Sequence, residues 1–279
     1  MGFLLAMVID IVAKMYDEMY QAEKKVADFI LKNPTSIISM YVTEVAKASD
    51  TSEATVVRVC KHLGFTGFHQ LKLTLASEYG YGEREKKDGE FQPTDVAEYL
   101  SMTSAQVLGL TKSLTPDVLE KCIELIANAR NIHITGWGNS NAIAQDIAHR
   151  LTRQGKKTIV SPVADYFLMS LFLAGPGDIL IAVSHSGATI HVCQALEIAK
   201  QKGMPSILIT NAAESTAASI ANYILSTNVK DQIFKHFGGE SHLYEMLVVD
   251  ILVYFLMQRC PNGMDSTDPA EIVLSQYKY

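Results

Sequence analysis

Over the first 77 residues, apolar positions recur at three- and four-residue intervals, the period of a helix with one buried face. The pattern predicts helices over residues 10–20 and 22–32, the second carrying Val26, Phe29 and Ile30 on one side. Asn33-Pro34 ends it, because the residue before proline is pushed out of the helical region. Past residue 93, two amphipathic stretches at 96–112 and 116–129 come first, and then the texture changes. Short β-type runs at 131–135, 158–160, 178–183, 206–210 and 223–225 alternate with helical runs. Those helices fall at 141–153, 166–173, 189–201, 215–220 and 241–259. Such alternation predicts an α/β unit with a mostly parallel sheet flanked by helices on both faces.

Residues 78–93 have no apolar period; they are charged and hold Gly80, Gly82, Gly89 and Pro93, the composition of a linker. The chain therefore divides into an all-α domain at 1–77, a linker at 78–93 and an α/β domain at 94–279. A composition of 48% hydrophobic and 19% charged residues over 279 positions excludes a disordered chain. The net charge of −6 excludes a polybasic nucleic-acid coat, but it is unevenly spread. Residues 1–76 are neutral overall, and from Ala54 to Ala76 there is no acidic residue while Arg58, Lys61 and Lys72 contribute +3. An anionic partner is expected there. Cys60, Cys122, Cys193 and Cys260 are far apart and form no C-x-x-C, the usage of reduced thiols. The apolar run from Gly2 to Val8 lacks a basic lead and a cleavage site, and Leu243 to Met257 is short and broken by Glu245 and Asp250. No membrane partner is expected, and the location is read as cytoplasmic.

Residues 42–64 have the layout of a helix-turn-helix. Val45 and the small Ala46 sit on a first helix, Ser49-Asp50-Thr51 form a polar turn, and Ser52 is a good N-cap for a second helix. Val56, Val59, Cys60 and Leu63 would be its buried face, with Ser52, Thr55, Arg58, Lys61 and His62 opposite, short hydroxyls followed by cations as a major groove requires. A helical adaptor for another protein shares this layout. The identities go further. Glu23-Lys-Lys-Val-Ala-Asp-Phe-Ile-Leu-Lys-Asn-Pro34, Ser52-Glu53-Ala-Thr55-Val-Val-Arg58 and Leu63-Gly-Phe-Thr-Gly-Phe68 resemble the RpiR-type bacterial transcriptional regulators over residues 10–76. That resemblance implies a double-stranded DNA operator as partner and adds Glu53 to the DNA-binding set. One departure is that the turn has Asp50 and Thr51 where the family often has glycine and a β-branched apolar residue.

Two strand-to-helix junctions carry small and hydroxyl residues: Gly136-Trp-Gly138-Asn139-Ser140, and Ser184-His185-Ser186-Gly187-Ala-Thr189. Glycine lets a ligand approach the backbone, and a helix N-terminus offers free N–H groups, so each junction suits a phosphate without a metal. A dinucleotide fingerprint fails because Asn141 replaces the third glycine, and the P-loop lysine is absent. No His/Glu set has zinc spacing. The pair of loops also resembles the SIS domain, a phosphosugar-binding fold, across residues 94–260. By that resemblance Ser140, Ser184, Ser186 and Thr189 contact the phosphate, and the effector is a sugar phosphate with no cofactor. Asn139, His185, Glu240 and His242 are the candidates to reach sugar hydroxyls. Glu240, near a helix N-terminus, also reads as a helix-capping residue. A helix-turn-helix followed by SIS is the RpiR architecture, which implies a DNA-binding regulator of phosphosugar metabolism rather than an enzyme. A SIS-type isomerase or lyase with an accessory helical domain is the alternative. A two-fold operator requires a homodimer or higher assembly, and the apolar closing helix, with Leu247, Val248, Ile251, Leu252, Phe255 and Leu256, is expected to help form it.

Overall fold

The structure is a computed structural model and describes residues 8–38, 40–79, 93–229, 241–259 and 275. Glu240, Cys260 and most of the expected linker lie outside the described residues. Among the described residues the chain forms two compact units, 8–96 and 97–229 with 242–259.

The first unit is helical: α1 (Val8–Met15), α2 (Gln21–Lys32), α3 (Pro34–Ile37), α4 (Val42–Ala48), α5 (Glu53–His62) and α6 (Phe68–Tyr79). The helix expected over 10–20 stops at Met15 and tightens into a 3-10 turn, Tyr16–Glu18, where the Tyr16 hydroxyl donates to Asp28 at 2.8 Å. Asn33 ends α2 as expected, and Pro34 then opens α3, a first-turn position where its missing N–H is harmless. Val12, Val26, Ile30, Val45, Val59, Leu71 and Leu75 form the buried centre. Ala46 is buried as α4 crosses α5, as its small size allows.

In the second unit, α7 (Val96–Gly109) passes into a 3-10 turn at Leu110–Lys112, and α8 (Pro116–Asn128) follows. Then come β1 (Ile132–Gly136), α9 (Ser140–Arg153), β2 (Thr158–Val160), α10 (Ala164–Phe172), β3 (Ile179–Val183), α11 (Ile190–Gln201), β4 (Ser206–Thr210), α12 (Thr216–Ile220), β5 (Tyr223–Ser226) and α13 (Leu243–Arg259). All five strands are parallel, in the order β2-β1-β3-β4-β5. Alternate strand residues face opposite sides. Ile132, Ile134, Ile181, Val183, Ile207 and Ile209 pack against α8, α9 and α13, whereas Leu180, Ala182 and Leu208 pack against α10, α11 and α12. With both faces covered, β3 reads as an unbroken apolar run, while β1 carries the buried polar His133 and Thr135. Among the described residues no helix is long and apolar enough to cross a membrane.

Candidate functional site

The helix-turn-helix is α4, the turn at 49–51 and α5. Asp50 takes φ +51°, the left-handed region that glycine ordinarily fills. The departure noted in the sequence is thus accommodated, because Lys25 of α2 donates to the Asp50 carboxylate at 2.6 Å and to its carbonyl at 3.4 Å. The Lys25 hydrogen bond and charge hold that carboxyl below the usual range. Thr51 N–H donates to the Ala46 carbonyl at 2.8 Å, and the Ser49 hydroxyl to that of Val45 at 2.7 Å, so the turn's polar groups are satisfied. Ser52 caps α5, its oxygen accepting the Thr55 N–H at 3.2 Å.

The inward face is Val56, Val59, Cys60 and Leu63, all buried. Ser52, Arg58 and Lys61 are exposed, and Glu53 and His62 half-buried. Thr55 differs from expectation. It is buried, with its hydroxyl 2.9 Å from that of Ser52, because it stands four residues before Val59 and so shares the inward side. The sequence reading also missed Glu23. This buried carboxylate of α2 accepts the Arg58 Nε–H at 2.8 Å and lies 3.5 Å from His62 Nδ1. Burial pushes its pKa up, but the Tyr20 N–H, Arg58 and His62 together bring it below the ordinary glutamate value.

In the second unit, Gly136 of β1 and Val183 of β3 are register partners, so the two loops leave the sheet side by side. One leads to α9 and the other to α11, on opposite faces. This is the reversal point of a 2-1-3-4-5 sheet, where an open crevice forms outside the strand ends. A β-carbon on Gly136 would lie 2.5 Å from the Ser140 carbonyl oxygen, so only glycine lets α9 start so close to the strand. Gly187 combines φ +62° with a neighbour, the Ser215 hydroxyl, that a β-carbon would meet at 1.9 Å. Ser140, Ser184 and His185 are buried, Ser186 and Thr189 half-buried, and Asn139 exposed; the Ser184 and Thr189 hydroxyls are 3.1 Å apart. The loop is braced from β4, where Thr210 donates to the His185 carbonyl at 3.3 Å, and from α12, where the Ala217 N–H donates to the Gly187 carbonyl at 2.9 Å.

Sequence reasoning passed over Glu245 except as a break in an apolar run. It is 0% exposed, and one of its oxygens bonds His185 Nδ1. The only signal was an acid inside the hydrophobic closing helix. His242 is half-buried just before α13. Among the described residues no group of three or more His, Cys, Asp and Glu could hold a metal ion.

Residues 7–81 match the helix-turn-helix domain of the rpiR family, and residues 125–250 match the SIS domain. An uncharacterised HTH-type transcriptional regulator of Thermotoga maritima is 31% identical over 280 residues, covering 98% of this chain and 99% of that protein. The bifunctional protein glk of Paraburkholderia xenovorans is 31% identical over 272 residues, which span 95% of this chain but 42% of that longer protein. Vibrio vulnificus NanR, solved in complex with ManNAc-6P, superposes with a TM-score of 0.73 at 25% identity over 98% of this chain and 99% of that one. The sugar isomerase domain of an RpiR transcription factor from Sphaerobacter thermophilus shares the fold of the second unit, with a TM-score of 0.52 at 23% identity over 59% of this chain and 92% of that one. An rpiR-type helix-turn-helix, a SIS domain and a full-length relative of the same kind converge, and the chain belongs to the RpiR family of helix-turn-helix transcriptional regulators.

Proposed function

We propose that the crevice between the β1–α9 and β3–α11 loops binds a phosphorylated sugar, and that its occupancy sets how the protein binds its operator in the cytoplasm. The observation that carries this reading is the pairing of two hydroxyl-rich loops, each opening a helix, at neighbouring strand ends. The phosphate would take N–H groups and the hydroxyls of Ser140, Ser184, Ser186 and Thr189. Asn139, His185 and Glu240 would face the sugar. NanR, similar over nearly the full chain, was solved with a sugar phosphate, and this supports the ligand class. The regulator carries out no turnover in this reading. For the ligand to act allosterically it must favour one DNA-binding state over another, by about 1–3 kcal/mol in typical cases.

The protein would act as a homodimer. Val248, Leu252 and Leu256 of α13 are spent on the sheet, but Leu247, Ile251 and Phe255 instead line an apolar groove of about 450 Å³ with α7, α8 and the turn between them.

The alternative of a SIS-type isomerase has one observation in its favour, the buried His185–Glu245 pair beside the loop, an acid–base couple of the kind proton transfer uses. Phosphorus NMR of a sugar-phosphate panel with the purified protein separates the two. A regulator broadens or shifts one compound's signal and yields no product over hours; a new, protein-dependent resonance establishes turnover. Ser184→Ala with Ser186→Ala should weaken the binding of that compound roughly 100-fold or more, since each hydrogen bond to a charged group contributes about 1.5–3 kcal/mol. Basal DNA binding should persist in that variant. Undiminished ligand affinity would remove the site from these loops.

A further inference from the structure

A carboxylate of α2 reaches across to the recognition helix α5. Glu23 is 2% exposed and sits in the first turn of α2, 35 residues before its partner on α5. Its Oε1 accepts the Arg58 Nε–H at 2.8 Å; its Oε2 accepts the Tyr20 N–H at 3.1 Å and lies 3.5 Å from His62 Nδ1. A carboxylate so placed is held from its own helix and cannot swing to follow a partner. The constraint therefore falls on the arginine.

Arg58 is the other half of the geometry, with its side chain 58% exposed. The guanidinium is planar and carries its five N–H groups in a fixed fork. With the Nε–H engaged by Glu23, one direction of the guanidinium plane is fixed while the side chain stays 58% exposed. A free arginine loses rotamer entropy when it is immobilised. Here part of that ordering exists before DNA arrives. Arg58 stands in the second turn of α5, the portion of a recognition helix that reaches base edges, where the fork fits the O6 and N7 acceptors of guanine.

We infer that Glu23 is a positioning residue for DNA recognition: without touching DNA, it holds the Arg58 guanidinium in the orientation that reads a base edge. A purely structural clamp between α2 and α5 would share the distances but not the consequences. Removing the clamp would loosen all DNA binding together, whereas removing a positioning contact costs discrimination and spares the sequence-independent phosphate contribution.

The experiment measures affinity for two probes: a short duplex selected by the wild-type protein from a randomised pool, and a shuffled duplex of the same composition. In Glu23→Gln the ratio of the two affinities should fall about tenfold, while affinity for the shuffled duplex stays level or rises, since a negative charge has gone. Glu23→Gln should cost nothing further in an Arg58→Ala background, because the two residues act as a unit. Melting curves fix a temperature at which each variant is folded. Should Glu23→Gln not fold, Arg58→Lys, which keeps the charge without the fork, should give the same loss of ratio. An unchanged ratio, a parallel loss on both duplexes, additive losses in the double variant, or a wild-type protein that selects no duplex would each overturn the inference.

Discussion

A buried histidine outside the proposed ligand site makes the clearest single-residue test of the fold's electrostatics. His133 on β1 is 1% exposed and 3.8 Å from the Asp178 carboxylate. Burial lowers its pKa from 6.5, with the nearby Asp178 opposing the shift. The unfolded chain therefore takes up its proton first, so stability rises with pH across this titration. As pH falls below about 6.5, this histidine should cost stability progressively, until its folded form is protonated too. Asp178 behaves as a depressed acid: burial raises it, but the Gly175 N–H, Asn131, Arg130 and His133 outweigh that and bring it below 3.8. Its contribution is full above about 4 and lost at lower pH. Melting temperature followed from pH 8 to 3 should thus decline in two limbs, and His133→Gln should flatten the upper one. A variant whose upper limb is as steep as wild type would place that titration elsewhere.

At the level of the element, the β3–α11 loop shows how a backbone shape serves a site. Gly187 has a positive φ and lies against Ser215, the N-cap of α12, whose oxygen accepts the Ala218 N–H at 3.3 Å. Gly187→Ala adds left-handed strain and a collision at once, which should cost about 2 kcal/mol or more in urea unfolding and abolish the ligand response. A variant as stable as wild type would show that the loop gives way instead. This loop and its β1 counterpart were legible in the sequence because glycine and hydroxyl residues interrupt apolar runs at strand ends. The central strands β3 and β4 were legible for a related reason: buried along their whole length, they are short, mostly apolar runs between polar turns. What escaped notice were partnerships made only by folding. Glu23 with Arg58, and His185 with Glu245, join residues 35 and 60 positions apart, and no local spacing announces them. Thr55 was misplaced for a different reason, since its hydroxyl chemistry outweighed its four-residue distance from Val59, which alone would have set it inward.

For the molecule as a whole, association is what the proposed homodimer on a two-fold operator would require. Besides the groove beside α13, Tyr166, Met169 and Phe172 of α10 and Leu173 at its C-terminal end are exposed to solvent. Sedimentation at micromolar concentration should give a dimer or larger, and Phe255→Asp should shift the population toward monomer if α13 supplies the contact. A wild-type protein that sediments as a monomer with and without ligand would end the proposal. The sheet itself offers little to a second copy. Among the described residues its edge strands are β2, of three residues, and β5, of four, too short for ladder-to-ladder pairing between subunits. In the proposed dimer, self-association would fall to apolar helix faces while the hold on DNA would be ionic, so the two would respond oppositely to one variable. Added sulfate strips phosphate contacts but drives apolar surface together. A rising sulfate series should therefore release the protein from DNA and, over the same range, tighten the grip of one subunit on the other.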